Sequence, residues 1–341
     1  MNRLDLVYAP ALSPVFGAAA LPNSLLERIA EKAGLPGSIV DDPKGFVPLY
    51  ATELFLDLVQ RERGQDTFLF DSLSMDPSER SQAQSVVGVP LPEGFTSKEA
   101  LEVMTQTFNG HVTGARFSSE IQGGRIWVLR TTAATEWSDV WSVLQYNLSI
   151  MLAGVRRTLK SDVRPVCLRL PARFSSEHLP EILDLPVELD AGHFGLAFDL
   201  CDVILADRML GQTSTSTSTS TSKAVTVANP LTNNLMAALS ECMNEFVISS
   251  PNCCSADRVA NAFGLSTRSY RRKLAAIGTS HAQLLSNARL EIAYTMLSGR
   301  SQSITEIAYE LGYGNPGDFT RFFKGRVGCT PMQYKQMHAM A

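Results

Sequence analysis

The chain has 341 residues, of which 45% are hydrophobic, and a formal net charge of −4 at pH 7. Its length predicts two domains, and its mild net charge excludes a chain that is basic throughout. The charge is unevenly divided, because residues 251–341 carry 11 Lys and Arg against 5 Asp and Glu, whereas the preceding residues carry 19 against 29. A basic segment on an acidic body predicts an anionic partner for the C-terminal part.

The sequence gives no signal for a membrane span, a metal site or a cofactor. No run of 18 apolar residues is present, and we expect a cytoplasmic protein with no membrane partner. The six cysteines include no CxxC pair and the five histidines no HxxxH spacing, which predicts reduced thiols, no metal and no catalytic residue. A redox role for Cys253 and Cys254 stays open.

Helix and strand patterns alternate through residues 1–212. A capping box at Ser24 and Glu27 predicts a helix that ends at Ala33. The later elements, in chain order, are a helix over 49–63, a loop over 72–96, a helix over 97–108, strands over 111–119 and 125–132 joined as a hairpin with a longer loop, a helix over 136–159, a strand over 166–170, a helix over 179–183, strands within 187–198 and a helix over 200–210. This mixture predicts one α+β domain.

One basic cluster in this domain has two interpretations. Arg156, Arg157, Lys160 and Arg164 could hold the carboxylate of an effector, or could be a basic helix end favoured by the helix dipole. We favour the helix end, so the sequence leaves the ligand-binding residues unknown.

The composition changes abruptly at residues 213–225. Thr213 to Ser222 is five consecutive Thr-Ser repeats, which predict a flexible linker because both faces of such a strand would be polar. Helical patterns dominate residues 226–341, beginning with a helix over 231–247. Capping patterns at Ser280, Ser303 and Thr330 predict three further helix starts, so we expect an all-α second domain.

The first of two helix-turn-helix patterns begins at Ser255. We expect a short helix to Ala262, a turn at Gly264 and a second helix capped by Ser266. Tyr270 and Leu274 fall on the inward face of that second helix. Its outward face carries Arg268, Arg271 and Arg272, at spacings that place them together. Arginine can bond two acceptors of guanine or grip phosphate, so these residues and Ser266 are candidates for DNA contact.

The second pattern runs from Ser303 through a turn at Gly312 to a helix with Asn315 as N-cap and Pro316 as first residue. Phe319, Phe322 and Phe323 are expected in the core. The candidates for DNA contact on the other face are Asn315, Gly317, Asp318, Arg321 and Lys324. Asp318 could accept a hydrogen bond from cytosine, but an acid in the first turn also stabilises a helix, and we favour that role.

These residues resemble the AraC/XylS family of bacterial transcription regulators over about residues 228–337. The resemblance is carried by Arg289-Leu290-x-x-Ala293, Ile304-x-x-Ile307-Ala308-x-x-x-Gly312-Tyr313, Phe319-x-Arg321-x-Phe323-Lys324 and Gly328-x-Thr330-Pro331-x-x-Tyr334-Lys335. It implies that the outward positions of both second helices contact DNA. Pro316 and Gly317 have little to offer a base edge, so we expect the first unit to carry most sequence specificity.

The N-terminal part resembles the effector domain named after arabinose-type binding, which ornithine-responsive and virulence regulators also carry. The residues that carry this likeness lie in 25–34, at Pro48-Leu49, and at Val166, Leu168, Phe194 and Leu196. The likeness implies a sensory and dimerising domain and does not identify the ligand.

Together these features predict a sequence-specific transcriptional regulator controlled by a small-molecule effector. The expected partners are double-stranded promoter DNA, the effector, RNA polymerase and a second copy of the chain. The alternative is a constitutive or partner-controlled regulator whose first domain only dimerises. A DNA-repair alkyltransferase fused to the same reading unit is disfavoured, because Cys167 and Cys201 have no neighbouring His in the sequence.

Overall fold

The computed structural model describes residues 4–64, 96–132, 141–159, 162–171, 185–190, 193–204, 235–251, 254–299 and 302–339. The loop over 72–96, except Thr96, the helix over 179–183, the Thr-Ser linker and the start of the helix predicted at 136 lie outside the described residues. Within those residues, no helix is long and apolar enough to cross a membrane.

A small sheet and three helices form the first layer. Strands β1 (Leu6–Tyr8) and β2 (Phe46–Pro48) pair antiparallel. Helix α1 spans Ser13–Ala18, α2 spans Asn23–Ala33 and α3 spans Leu49–Arg63. The capping box predicted at Ser24 is wrong, because α2 begins one residue earlier and its N-cap is Pro22, which offers no side-chain acceptor.

A five-stranded sheet forms the second layer. It contains β3 (Ala115–Gln122), β4 (Arg125–Thr132), β5 (Pro165–Pro171), β6 (Val187–Asp190) and β7 (His193–Asp199). Their order is β3-β4-β7-β5-β6; β5 and β6 are parallel and the other pairs antiparallel. Helices α4 (Ser97–His111) and α5 (Trp141–Leu159) pack against it.

The hairpin of β3 and β4 is tighter than predicted. Gln122 pairs with Arg125, which leaves a two-residue turn of Gly123 and Gly124, both at positive φ. Such a turn requires positive φ at both residues and therefore favours glycine. The predicted start of the first strand at residue 111 is also wrong, because α4 continues to His111 and β3 begins at Ala115.

The two faces of β4 are buried differently. Ile126 and Val128 join the main core, and Arg130 follows on the same face two residues later. Trp127 and Leu129 form a smaller cluster on the opposite face, where the Arg169 guanidinium lies 3.9 Å from the Trp127 ring centroid.

The C-terminal part is all helical in its described residues. These helices are α6 (Leu235–Ser249), α7 (Ala256–Ala262), α8 (Thr267–Ala276), α9 (His281–Ser298), α10 (Ile304–Glu310), α11 (Pro316–Val327) and α12 (Pro331–Ala339). The fold is therefore an α+β region followed by a helical region, as predicted. The boundary placed at residues 213–225 stays a prediction.

The two parts are in contact. Helix α6 packs on β2 as well as on α9, and the buried residues of both parts form one continuous core. A Cβ placed on Gly34 would lie 3.3 Å from the Cα of Ala262. The Glu245 side chain packs beside Gly45, and its burial there raises its pKa to about 6.

Candidate nucleic-acid interface

The first helix-turn-helix unit, residues 255–276, forms as predicted because each helix start has a side-chain acceptor. The Ser255 hydroxyl accepts from the backbone N–H of Arg258, and the Ser266 hydroxyl accepts from that of Ser269, at 3.3 Å in both cases. Gly264 takes a φ of +63° in the turn, a conformation that glycine adopts without steric cost. The geometry of α7 and α8 is thus fixed locally.

Helix α8 has a buried face and an exposed face. Tyr270 and Leu274 are 1% and 0% exposed, so they fasten the helix to the core. Arg268, Arg271 and Arg272 are all exposed, and the structure brings them onto one side of the helix. Such a face can enter a major groove, where arginine binds guanine edges or phosphate.

The end of α8 faces the N-terminal part. Lys273 is half-buried, and burial lowers its pKa while the charge of Asp5 on the chain before β1 raises it. Lys273 was not among the predicted DNA contacts. Its charge interacts with that of Asp5, so it links the first unit electrostatically to the N-terminal part.

The second unit, residues 303–327, is fastened through its turn. Gly312 has a φ of +77°, and a Cβ there would lie 2.3 Å from the carbonyl oxygen of Pro251. Arg289 of α9 donates through Nη2 to the Gly312 carbonyl at 3.3 Å, and its guanidinium lies 4.7 Å from the Tyr313 ring centroid. Arg289 therefore positions the turn between α10 and α11.

The arginine and asparagine of α11 are engaged with one carboxylate. The Asn315 Oδ1 atom accepts from the backbone N–H of Asp318 at 2.9 Å, which confirms the predicted N-cap. The Asp318 carboxylate in turn accepts from the Asn315 amide and forms an ion pair with Arg321. In this arrangement the Arg321 charge is partly neutralised within the helix.

The remaining predicted contacts of the second unit lie at the surface. Gly317 and Lys324 are exposed, and Phe319 and Phe323 are fully buried as expected. Phe322 is only partly buried and packs against the core. The DNA-contact roles of the exposed residues are not tested by the geometry and stay predictions.

Sequence reasoning missed the residues that fasten the second unit to its neighbours. The sequence showed Arg289 only as part of a family motif. Its contact with Gly312, 23 residues later in the chain, becomes visible only in the structure. The Arg326 guanidinium donates to the Asn287 side chain at 2.6 Å, and Lys335 donates to the carbonyl of Gln302. These contacts fix α11 and α12 against their neighbours, so α9 acts as a common support.

His281, a partly buried residue in the first turn of α9, is held by two neighbours. Its Nε2 lies 2.9 Å from the carbonyl of Cys254, and its Nδ1 lies 3.2 Å from the Tyr270 hydroxyl. These partners suit a neutral ring that donates through Nε2 and accepts at Nδ1. Burial is the largest cause that lowers the pKa of His281 below its ordinary value.

A helix-turn-helix domain family matches residues 259–337. The ornithine utilization regulator of Pseudomonas aeruginosa is 31% identical over 80 residues, which are 24% of each chain. The transcriptional activator RhaS of Enterobacter is 31% identical over 105 residues, 30% of this chain and 35% of RhaS. The match therefore spans about a quarter to a third of these relatives' length.

Similar solved structures include the transcriptional regulator CdpR of Pseudomonas aeruginosa. That structure is 16% identical with a TM-score of 0.31, and the alignment covers 83% of this chain and 87% of CdpR. A DNA-binding dual regulator of Escherichia coli K-12 is 26% identical with a TM-score of 0.27, over 29% of this chain and 94% of that one.

Proposed function

We propose that the chain is a sequence-specific, DNA-binding transcriptional regulator of the AraC/XylS type, because a helix-turn-helix domain family matches residues 259–337. The observation that carries this proposal is the exposed arginine face of α8, which the buried Tyr270 and Leu274 hold in a fixed orientation. Helix α9 has 18 residues and is about 27 Å long, so it can support two reading units that meet one face of the duplex.

The proposal includes control by a small molecule and action in the cytoplasm without catalysis. The contact between the α+β region and the first unit supports such control, because ligand binding in the α+β region can change the position of the first unit. A second copy of the chain and RNA polymerase are further proposed partners. We keep the constitutive regulator as the alternative to effector control.

The test begins with selection of a duplex from a random-sequence DNA library on the purified full chain. Affinity for the selected duplex is then measured by fluorescence anisotropy at one fixed salt concentration. Arg272→Ala is expected to weaken specific binding by roughly 1–3 kcal/mol, since a base-reading arginine contributes about this much.

Arg116→Ala is the matched control, because Arg116 is an exposed arginine on β3. This variant should bind the selected duplex with wild-type affinity. A folded wild-type chain that enriches no sequence would overturn the proposal. Equal losses in Arg272→Ala and Arg116→Ala would show that general charge, and not α8, determines the affinity.

A further inference from the structure

A half-enclosed cavity lies between α3, α5 and the inner face of the five-stranded sheet. Its apolar wall includes Leu56, Phe117 and Ile150, and its polar wall includes Glu53 and Arg130. The cavity has a volume of about 60 Å³ and is open on one side, which leaves room for several waters or for a short chain of bonded atoms. This shape is typical of a small-ligand site, in which apolar walls surround a few polar groups.

Arg130 is unusual among the buried residues of this cavity. It is 2% exposed, and its Nε and Nη1 atoms have no hydrogen-bond partner in the described part of the chain. The guanidinium lies 5.8 Å from the Phe117 ring centroid and 5.3 Å from that of Phe194. Burying a cation whose N–H groups have no acceptor costs free energy, unless a ligand supplies the acceptor. A carboxylate is a strong hydrogen-bond acceptor for guanidinium.

The charge of Glu53 indicates that the ligand carries a positive group as well as a carboxylate. Its side chain is 4% exposed in the same cavity, and its charge favours the protonated form of Arg130. A simple anion would leave one net negative charge in this buried space, whereas a zwitterion adds none. The paired charges and the apolar wall together match a molecule with a carboxylate, an ammonium group and an apolar body.

We propose that this cavity binds a small apolar α-amino acid, with its carboxylate on Arg130 and its ammonium group towards Glu53. This inference rests on the proposed function, because it names the effector class of that regulator. The class follows from charge balance and from the apolar wall.

The same wall of the cavity also touches the first helix-turn-helix unit. Thr52 and Glu53 of α3 line the cavity, while Tyr50 of the same helix packs against Gly264 in the turn of the first unit. A Cβ on Gly264 would lie 2.7 Å from the ring of Tyr50. An occupant that shifts the start of α3 therefore changes the surface on which the first unit rests, and so the relative stability of its orientations.

The binding test uses isothermal titration calorimetry of the full chain with three probes of equal chain length. L-norleucine carries both charges, hexanoate only the carboxylate and hexylamine only the ammonium group. Norleucine is expected to bind at least about tenfold more tightly than either single-charge probe, because each lacks one charged hydrogen-bonding group. Equal affinity of hexanoate and norleucine would overturn the assignment of an amino acid.

Variants locate the binding. Arg130→Met should lower norleucine affinity by about tenfold or more, and Arg116→Met should leave it unchanged. If Arg130→Met does not fold, Ile150→Trp fills the cavity while both charges remain, and it should abolish binding. Retained affinity in a folded Arg130→Met or in Ile150→Trp would place the ligand elsewhere.

The last measurement separates this inference from the proposed function. Affinity for the selected duplex is measured with and without saturating norleucine, in the wild type and in Tyr50→Ala. The wild type should change its DNA affinity with ligand, and Tyr50→Ala should not. Intact DNA binding without norleucine binding overturns the ligand and leaves the regulator standing, whereas norleucine binding without any DNA binding supports the ligand site and overturns the regulator.

Discussion

Gly312 is a residue that no other amino acid can replace at low cost. Its φ of +77° disfavours a side chain, and the atom nearest to a new Cβ, at 2.3 Å, is a backbone oxygen of Pro251. A backbone atom cannot rotate away as a side chain can. At Gly312, the cost of a side chain in the left-handed backbone region and the cost of its overlap with Pro251 therefore add.

We expect Gly312→Ala to lower the free energy of unfolding by about 3 kcal/mol or more, measured by urea denaturation. Gly314→Ala, two residues later, is the matched control, since a Cβ there would meet nothing within 4 Å and its φ is not positive. Its effect should stay within about 0.5 kcal/mol. Similar losses in the two variants would contradict the argument.

His281 should make the stability depend on pH. Its pKa in the folded chain lies below the ordinary value of 6.5, so the unfolded chain takes up a proton first as the pH falls. Stability is therefore present above the unfolded pKa and declines as the pH falls from about 6.5 towards the lower folded value. His111 is also partly buried, its burial lowers its pKa, and it contributes in the same direction.

The measurement is urea denaturation of the wild type and of His281→Gln between pH 8 and pH 5. The variant should be less stable than the wild type at pH 8, because it loses a packed and hydrogen-bonded ring, and the difference should shrink at pH 5. A constant difference at all pH values would show that folding does not change the pKa of His281, which would contradict the argument.

Helix starts were the elements best predicted from the sequence. Ser255, Ser266, Ser303 and Asn315 all accept a backbone N–H as expected, because a cap is decided within four residues of chain. The N-terminal region was predicted less well. Ser24 has the right spacing for a cap, but the helix begins at Asn23 with Pro22 as N-cap, and α2 packs against α3, a contact that the local pattern does not contain.

The strand order and the candidate ligand cavity could not be predicted in this way. Alternation in β4 indicates that Ile126, Val128 and Arg130 share a face, but a local pattern does not tell which helices cover that face. The parallel pair of β5 and β6 joins segments whose connection lies outside the described residues. The strand order and the helices that cover the sheet are determined by contacts between segments far apart in the chain.

Helices α8 and α11 differ in the freedom of their arginines. Arg321 is held by Asp318, whereas the α8 arginines lie exposed on an outward face. Asp318 thus removes positive charge from the helix that should approach phosphate. This difference supports the expectation that the two units contribute unequally to binding.

We therefore expect Asp318→Asn to strengthen DNA binding at low salt. The substitution frees Arg321 and removes one negative charge, so the dependence of log affinity on log salt should steepen by about 1. Affinity is measured across a salt series with the selected duplex. Glu310→Gln, an exposed acid on α10, is the control, and an equal gain there would indicate a general charge effect.

At the scale of the whole molecule, the first unit rests on the N-terminal part at several points. Tyr50 contacts Gly264 and Gly34 lies close to Ala262; next to the unit, the Ser249 hydroxyl at the end of α6 lies 2.6 Å from that of Ser38. Among the described residues, these contacts hold the first unit against the N-terminal part. Their strength decides whether the first unit is held or released.

A double-mutant cycle on Tyr50 and Gly264 measures that strength. In the wild-type background, Gly264→Ala should cost about 2–4 kcal/mol of unfolding free energy, since it combines a φ of +63° with overlap on the Tyr50 ring. In the Tyr50→Ala background only the backbone strain of about 1–2 kcal/mol remains. We therefore expect a coupling energy of about 1 kcal/mol or more. Because both residues must be in contact for their effects to couple, additive losses would mean that the first unit does not rest on α3 in solution.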